Sequence, residues 1–149
     1  MLTLVSESPE HAIRVADWVG KSAPAHCTSA GRVLLLDHDP AGLEALFGGV
    51  GFPAAGPRAP DTVGELAARI AVDRARGYAL VDEEFEAGLV GVAAPIRDAR
   101  GRIVAALNVS APKFRFGGRM AAVGPDLRVT ADELSAVLGW SRQDEMAAS

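Results

Sequence analysis

Two apolar runs, Leu89-Val90-Gly91-Val92-Ala93-Ala94-Pro95-Ile96-Arg97 and Arg102-Ile103-Val104-Ala105-Ala106-Leu107-Asn108-Val109-Ser110, flank the tetrapeptide Asp98-Ala99-Arg100-Gly101. Runs of this length bounded by Asp and Gly read as two strands of a β-hairpin. Residues 78–85 supply a third strand just upstream. The small pairs Ala93-Ala94 and Ala105-Ala106 call for another element packed closely over the hairpin. These strands are expected at the centre of an antiparallel sheet of about five or six strands.

Further strands are expected at the start of the chain. Leu2, Leu4 and Ser6 alternate with Thr3 and Val5, Ser8-Pro9-Glu10 is a turn signal, and residues 12–19 read as a returning strand. Helices fill the middle. Thr28 or Ser29 caps a short helix reaching Leu36, and Asp39-Pro40 opens the next with its cap residue and a first-turn proline. Thr62-Val63-Gly64-Glu65 is a capping box for a helix carrying Leu66, Ile70 and Ala71 and ending at Gly77. Residues 51–60, with three prolines and two glycines, form a surface loop and a candidate lid. A last helix is expected from Pro125 to Leu138, with Leu127, Ala131, Leu134 and Leu138 in register. Strands at both ends of a helical middle give an α/β (α+β) class, an antiparallel sheet flanked by helices.

The 149 residues fit one domain, and an apolar fraction of 49% argues against disorder. A net charge of −4 with scattered Lys and Arg disfavours duplex DNA binding by this segment. The single cysteine, Cys27, supports no disulfide framework and fits a reducing, cytoplasmic compartment. No apolar run is long enough to span a membrane.

Few motifs carry chemistry. Gly49-Val50-Gly51-Phe52-Pro53-Ala54 matches a loose dinucleotide pattern, but it follows a helix and Pro53 stands where the next helix should begin. The acidic group Asp82, Glu83, Glu84 and Glu86, with Glu83 alone on the opposite face, reads as a solvated sheet edge, with a contribution to an interface or pocket as the alternative. His26, Cys27 and Ser29 share a loop, and a small enzyme built on them is an alternative. His11, His26, His38 and Cys27 lack metal-ligand spacing. Residues 130–142 resemble half of a helix-turn-helix, but the second helix, 141–148, carries Asp144 and Glu145 and almost no base-reading residues. Asn108 and Ser110 stand two apart on an apolar strand and so share one polar face, which either bonds to neighbouring loops or points into a pocket.

Two long blocks resemble the effector-binding domain of the IclR family of bacterial transcription regulators. One runs from Pro24-Ala25-His26-Cys27-Thr28-Ser29-Ala30-Gly31-Arg32; the other joins Gly77-Tyr78-Ala79, Asp82-Glu83-Glu84, Gly88, Val92 to Ile96, Asp98, Gly101 and Ala105 to Ser110. The resemblance covers roughly residues 2–139. It implies a GAF/profilin-like fold and a single effector-binding domain over residues 1–149. DNA would be contacted only through an N-terminal winged-helix domain that this chain lacks. The resemblance also implies a homodimer or tetramer, a small organic-acid effector, no cofactor, no membrane and no catalysis. In relatives sensing small 2-oxo acids the pocket uses an acid, a thiol and two serines, which align with Val81, Gly91, Asn108 and Ser110. Departure at three of the four implies a roomier, more apolar site and an aromatic acid of the protocatechuate or hydroxybenzoate kind. Residues Thr28, Ser29, Ala30 and Gly31 resemble the aromatic-responsive branch, where amides at a helix start would receive a carboxylate. His26 and this segment would face Asn108 and Ser110 across the ligand. A ligand-free oligomerisation module is the remaining alternative.

Overall fold

The structure is a computed structural model that describes residues 1–7 and 19–141. Three strands, β1 (Ala79–Asp82), β2 (Leu89–Arg97) and β3 (Ile103–Pro112), form an antiparallel sheet in the order β1-β2-β3. The hairpin turns where its chemistry requires. Gly101 takes a φ of 77°, and the Asp98 carboxylate accepts from the Arg100 amide at 2.9 Å and the Arg102 amide at 3.1 Å.

Among the described residues five α-helices pack about the sheet: α1 (Ser29–Leu34), α2 (Pro40–Phe47), α3 (Val63–Arg76), α4 (Lys113–Phe116) and α5 (Met120–Val137). Their starts follow the caps. Thr28 Oγ1 accepts from the Gly31 amide, Asp39 from Gly42, and Thr62 from Glu65. Glu65 reaches back to the Asp61 amide at 2.9 Å, one residue before the expected one. Gly77 ends α3 with a φ of 79°.

β2 is buried on both faces, which divides the core in two. Ala93 belongs to a cluster with Val33, Leu36, Leu43, Leu66 and Ile70 from α1 to α3. Val92 and Ala94 point the other way, onto Met120, Leu127 and Ala131 of α5. Pro95 is tolerated within this strand because β1 stops opposite Ala93, leaving no ladder on that side to interrupt. None of the helices among the described residues is long and apolar enough to cross a membrane.

Several expectations are corrected. The described residues hold three strands, not five or six. Leu2 and Thr3 make only isolated bridges, to Ser22 and Val19, and the remainder of the returning strand at 12–19 lies outside the described residues. So do His11 and the 142–148 part of the rejected second helix. α5 starts five residues early, at Met120, with Pro125 inside it. Its buried positions are Met120, Gly124, Leu127, Ala131 and Ser135, while Leu134 and Leu138 are exposed. Ser135 is accommodated because its hydroxyl donates to the Ala131 carbonyl at 2.7 Å and accepts from the Arg97 amide at 2.9 Å. In α3 the third buried position is Asp73, not Ala71, completing the four-then-three helical spacing from Leu66 through Ile70.

The acidic group is not a solvated edge. β1 ends at Asp82 and Glu83 takes a φ of 57°, which breaks the alternation. Glu84 turns inward, where both its oxygens accept from Arg32 Nη1, at 2.8 and 2.7 Å. Arg32 is 2% exposed, and its Nε lies 2.8 Å from Asp73 Oδ2. Arg69 lies 3.0 Å from Glu84, and Arg76 contacts Asp73. This cluster fastens α1 to α3 and to the end of β1. Burial raises the Asp73 carboxyl above its ordinary range, against the opposing pull of Arg32 and Arg76.

Candidate functional site: a cleft along the edge of β3

A cleft of about 1190 Å³ follows β3 from Val104 to Pro112. Thr28, Ser29 and Ala30 line it from the start of α1, Val81 and Gly91 from the sheet, residues 1–7 from the start of the chain, and Arg115, Phe116 and Arg119 from the segment after β3. The register explains how distant residues meet. Val81 pairs with Gly91 and Gly91 with Ser110, while Ala93 pairs with Asn108, one step along the same face. Cross-strand partners share a face, so this row points toward α1.

Ser29 opens α1 directly above the row. Its Oγ donates to Asn108 Oδ1 at 2.6 Å, and Asn108 Nδ2 donates to Ser110 Oγ at 3.0 Å. The amide orientation is the one this network requires. The relay has a direction: Ser110 receives a hydrogen bond and keeps its own proton to donate. The expected extra room at Gly91 is absent, because a Cβ there would lie 2.8 Å from Ser29 Oγ and 3.2 Å from Ser110 Oγ. The serine hydroxyl of α1 occupies that volume.

The loop ahead of α1 is split by burial. Gly31 and His26 do not line the cleft. The Gly31 amide is taken by Thr28 Oγ1 at 3.2 Å, and a Cβ on Gly31 would stand 2.4 Å from Ala25 Cα, so this glycine permits backbone contact. His26 is 2% exposed and stacks on Phe52 with centroids 4.4 Å apart; burial holds its imidazole below the ordinary range. Cys27 is fully buried and its thiol is pushed up to about 11, mainly by burial. Phe52, in the stack with His26, packs against the core cluster of Val33, Leu36, Leu43, Leu66 and Ile70. The Gly56 amide donates to the Glu84 carbonyl at 2.8 Å, and no residue of the 51–60 loop lines the cleft, so the lid expectation is withdrawn. Among the described residues there is no group of three or more His, Cys, Asp or Glu arranged to hold a metal ion.

Residues 3–136 match the family model described as "Bacterial transcriptional regulator IclR C-terminal". The chain belongs to the IclR family. Its C-terminal domain is the effector-binding unit, and the packing of helices about an antiparallel three-stranded sheet agrees with that membership. The IclR-type chain is 42% identical over 105 residues to the Pca regulon regulatory protein of Pseudomonas putida, covering 70% of this chain and 36% of that one. The repressor BlcR of Agobacterium tumefaciens superposes with a TM-score of 0.76 at 32% identity, over 87% of this chain and 52% of that chain. The inducer-binding domain of PobR from Acinetobacter, a double mutant in complex with 3-hydroxybenzoic acid, gives a TM-score of 0.75 at 30% identity, covering 87% and 77%. The chain therefore spans about a third of the first relative's length and about half of the second's.

Sequence reasoning missed Arg115, Phe116 and Arg119 as cleft residues. Their signal was the absence of any acidic residue from 99 to 125 beside five basic ones. It also missed the Arg32, Asp73 and Glu84 cluster, whose members are too far apart in sequence to show any spacing.

Proposed function

We infer that the cleft along β3 is the effector pocket, and that its ligand is a small organic acid, aromatic in character. The carrying observation is the Ser29–Asn108–Ser110 relay inside a cleft large enough for such a molecule and otherwise lined mainly by Val, Ala, Leu and Phe. Val81, Gly91, Thr28 and Ala30 shape the wall around it, whereas His26 and Gly31 support it from behind. The aromatic choice is supported by the 3-hydroxybenzoic acid complexed with the PobR relative.

The chain would act as the ligand-reading part of a longer cytoplasmic regulator. A winged-helix domain outside it would contact DNA, and homodimers or tetramers would transmit the signal. An effector preferring one arrangement of subunits shifts the population toward it by its difference in affinity. The enzyme alternative is disfavoured by the site itself: Cys27 is buried and held protonated, the Ser29 hydroxyl is committed to Asn108, and His26 is buried and stacked on Phe52. An oligomerisation module without ligand would show no stabilisation by any acid.

The test is a thermal-shift series with 3-hydroxybenzoate, 4-hydroxybenzoate, protocatechuate and pyruvate on the wild-type chain and on Asn108→Leu. Burying a ligand oxygen opposite leucine costs on the order of 1–3 kcal/mol, roughly a 5- to 150-fold loss of affinity. Equal stabilisation of both proteins removes Asn108 from the site. No stabilisation of the wild type by any of these acids defeats the sensing function.

A further inference from the structure

The chain carries a net charge of −4, yet from residue 99 to 125 it holds no Asp or Glu and five cations, Arg100, Arg102, Lys113, Arg115 and Arg119. Two of these are neutralised. Arg102 Nη2 lies 2.6 Å from Asp98, and Lys113 Nζ lies 2.8 Å from Asp82 and 2.7 Å from Glu83. Arg115 and Arg119 form no ion pair among the described residues, and both line the cleft. Glu7 also lines the cleft, and no ion pair joins it to either arginine among the described residues.

The two guanidinium groups are also braced. The Arg119 group sits 5.7 Å from the Phe116 ring centroid, and Phe116 is packed against the Val90, Met120 and Leu127 cluster. The Arg115 group sits 5.8 Å from the Phe114 ring centroid. Both guanidinium groups therefore border one apolar-walled cleft without an anionic partner among the described residues. A planar guanidinium meets a carboxylate with two parallel hydrogen bonds. On the α1 side of the same cleft the relay ends in a Ser110 proton with no acceptor among the described residues.

We propose that Arg115 and Arg119 hold the carboxylate of the effector, while Ser110 donates to a second oxygen of the same molecule. This rests on the sensing function above and narrows it. The ligand class is a carboxylic acid bearing a hydroxyl or carbonyl oxygen, and its acid group lies at the segment joining β3 to α5, not at the start of α1. Binding would then tie that segment to the sheet, giving α5 a direct reading of occupancy.

Calorimetric titration tests this, using 3-hydroxybenzoate, 4-hydroxybenzoate and pyruvate, each beside its carboxamide, on the wild-type chain. The double variant Arg115→Met/Arg119→Met is expected to weaken the tightest acid roughly 10- to 150-fold and leave its carboxamide unchanged. Arg115→Lys/Arg119→Lys, which keeps the charge and loses the fork, is expected to recover part of that loss. Ser110→Ala is expected to weaken acid and carboxamide alike. Both arginines are exposed, so the melting temperature should hold. An acid that binds the double methionine variant as it binds wild type overturns this inference and spares the sensing function. So does a carboxamide that binds wild type as tightly as its acid. Absence of binding by every acid to wild type overturns both.

Discussion

Replacing Arg32 with Met should destabilise the domain strongly, and more so at high pH. Arg32 is 2% exposed and Asp73 fully buried. The guanidinium meets Glu84 at 2.8 and 2.7 Å and lies 2.8 Å from Asp73. Methionine fills much of the volume, so little of the effect is cavity. What remains is two carboxylates without their shared cation. Removing one partner of a buried pair costs about 3–5 kcal/mol. Arg69 still reaches Glu84 and Arg76 still reaches Asp73, which argues for the lower end, about 3 kcal/mol. At about 2–4 °C per kcal/mol for a chain of this size, the melting temperature should fall by roughly 6–12 °C. Asp73 is already raised by burial, and without Arg32 it rises further. A carboxylate whose folded pKa exceeds its unfolded value of about 3.9 contributes fully below that value and loses its contribution as pH rises through the folded pKa. The deficit of Arg32→Met relative to wild type should therefore be small near pH 4 and grow toward pH 8. Urea denaturation at both ends measures it. A loss below about 1 kcal/mol, or an equal loss at both pH values, would refute the claim that the cation neutralises two buried carboxylates.

Two further outcomes follow from burial and close approach. Cys27 is fully buried with its thiol raised to about 11, so Ellman's reagent should react with it only as fast as the domain opens, and completely in denaturant; fast stoichiometric reaction of the native chain would contradict that placement. Glycine-to-alanine changes in two helices should have opposite signs. At Gly124 a Cβ would stand 2.3 Å from Tyr78 Cε2, so Gly124→Ala should cost about 1–3 kcal/mol. At exposed Gly64 the nearest atom is 3.9 Å away, so Gly64→Ala should stabilise by about 0.5 kcal/mol in the same denaturation assay.

Much of the fold is legible in local signals. The caps at Thr28, Asp39 and Thr62, the stop at Gly77 and the turn at Asp98 to Gly101 each involve residues within about four positions of one another. Their hydrogen bonds are specified by chain geometry before anything packs. The hairpin of β2 and β3 and the shared face of Asn108 and Ser110 follow from alternation in the same way. Two blocks of residues were enough to indicate the IclR family.

Tertiary structure alone decided the rest. The extent of α5 was misjudged because Pro125 looks like a start and Ser135 like a surface residue, yet the packing partners of Met120 and Ser135 lie in β2. Asp73 and Glu84 look like solvent-facing acids until Arg32, 41 and 52 positions away, is brought between them. The Ser29–Asn108 contact spans 79 positions and exists only because the strand register sets Asn108 beneath the first residue of α1. A side chain's near neighbours in sequence determine its backbone conformation. Whether a charge or hydroxyl is solvated, paired or left to receive a ligand depends on the groups that packing brings to it from elsewhere in the chain.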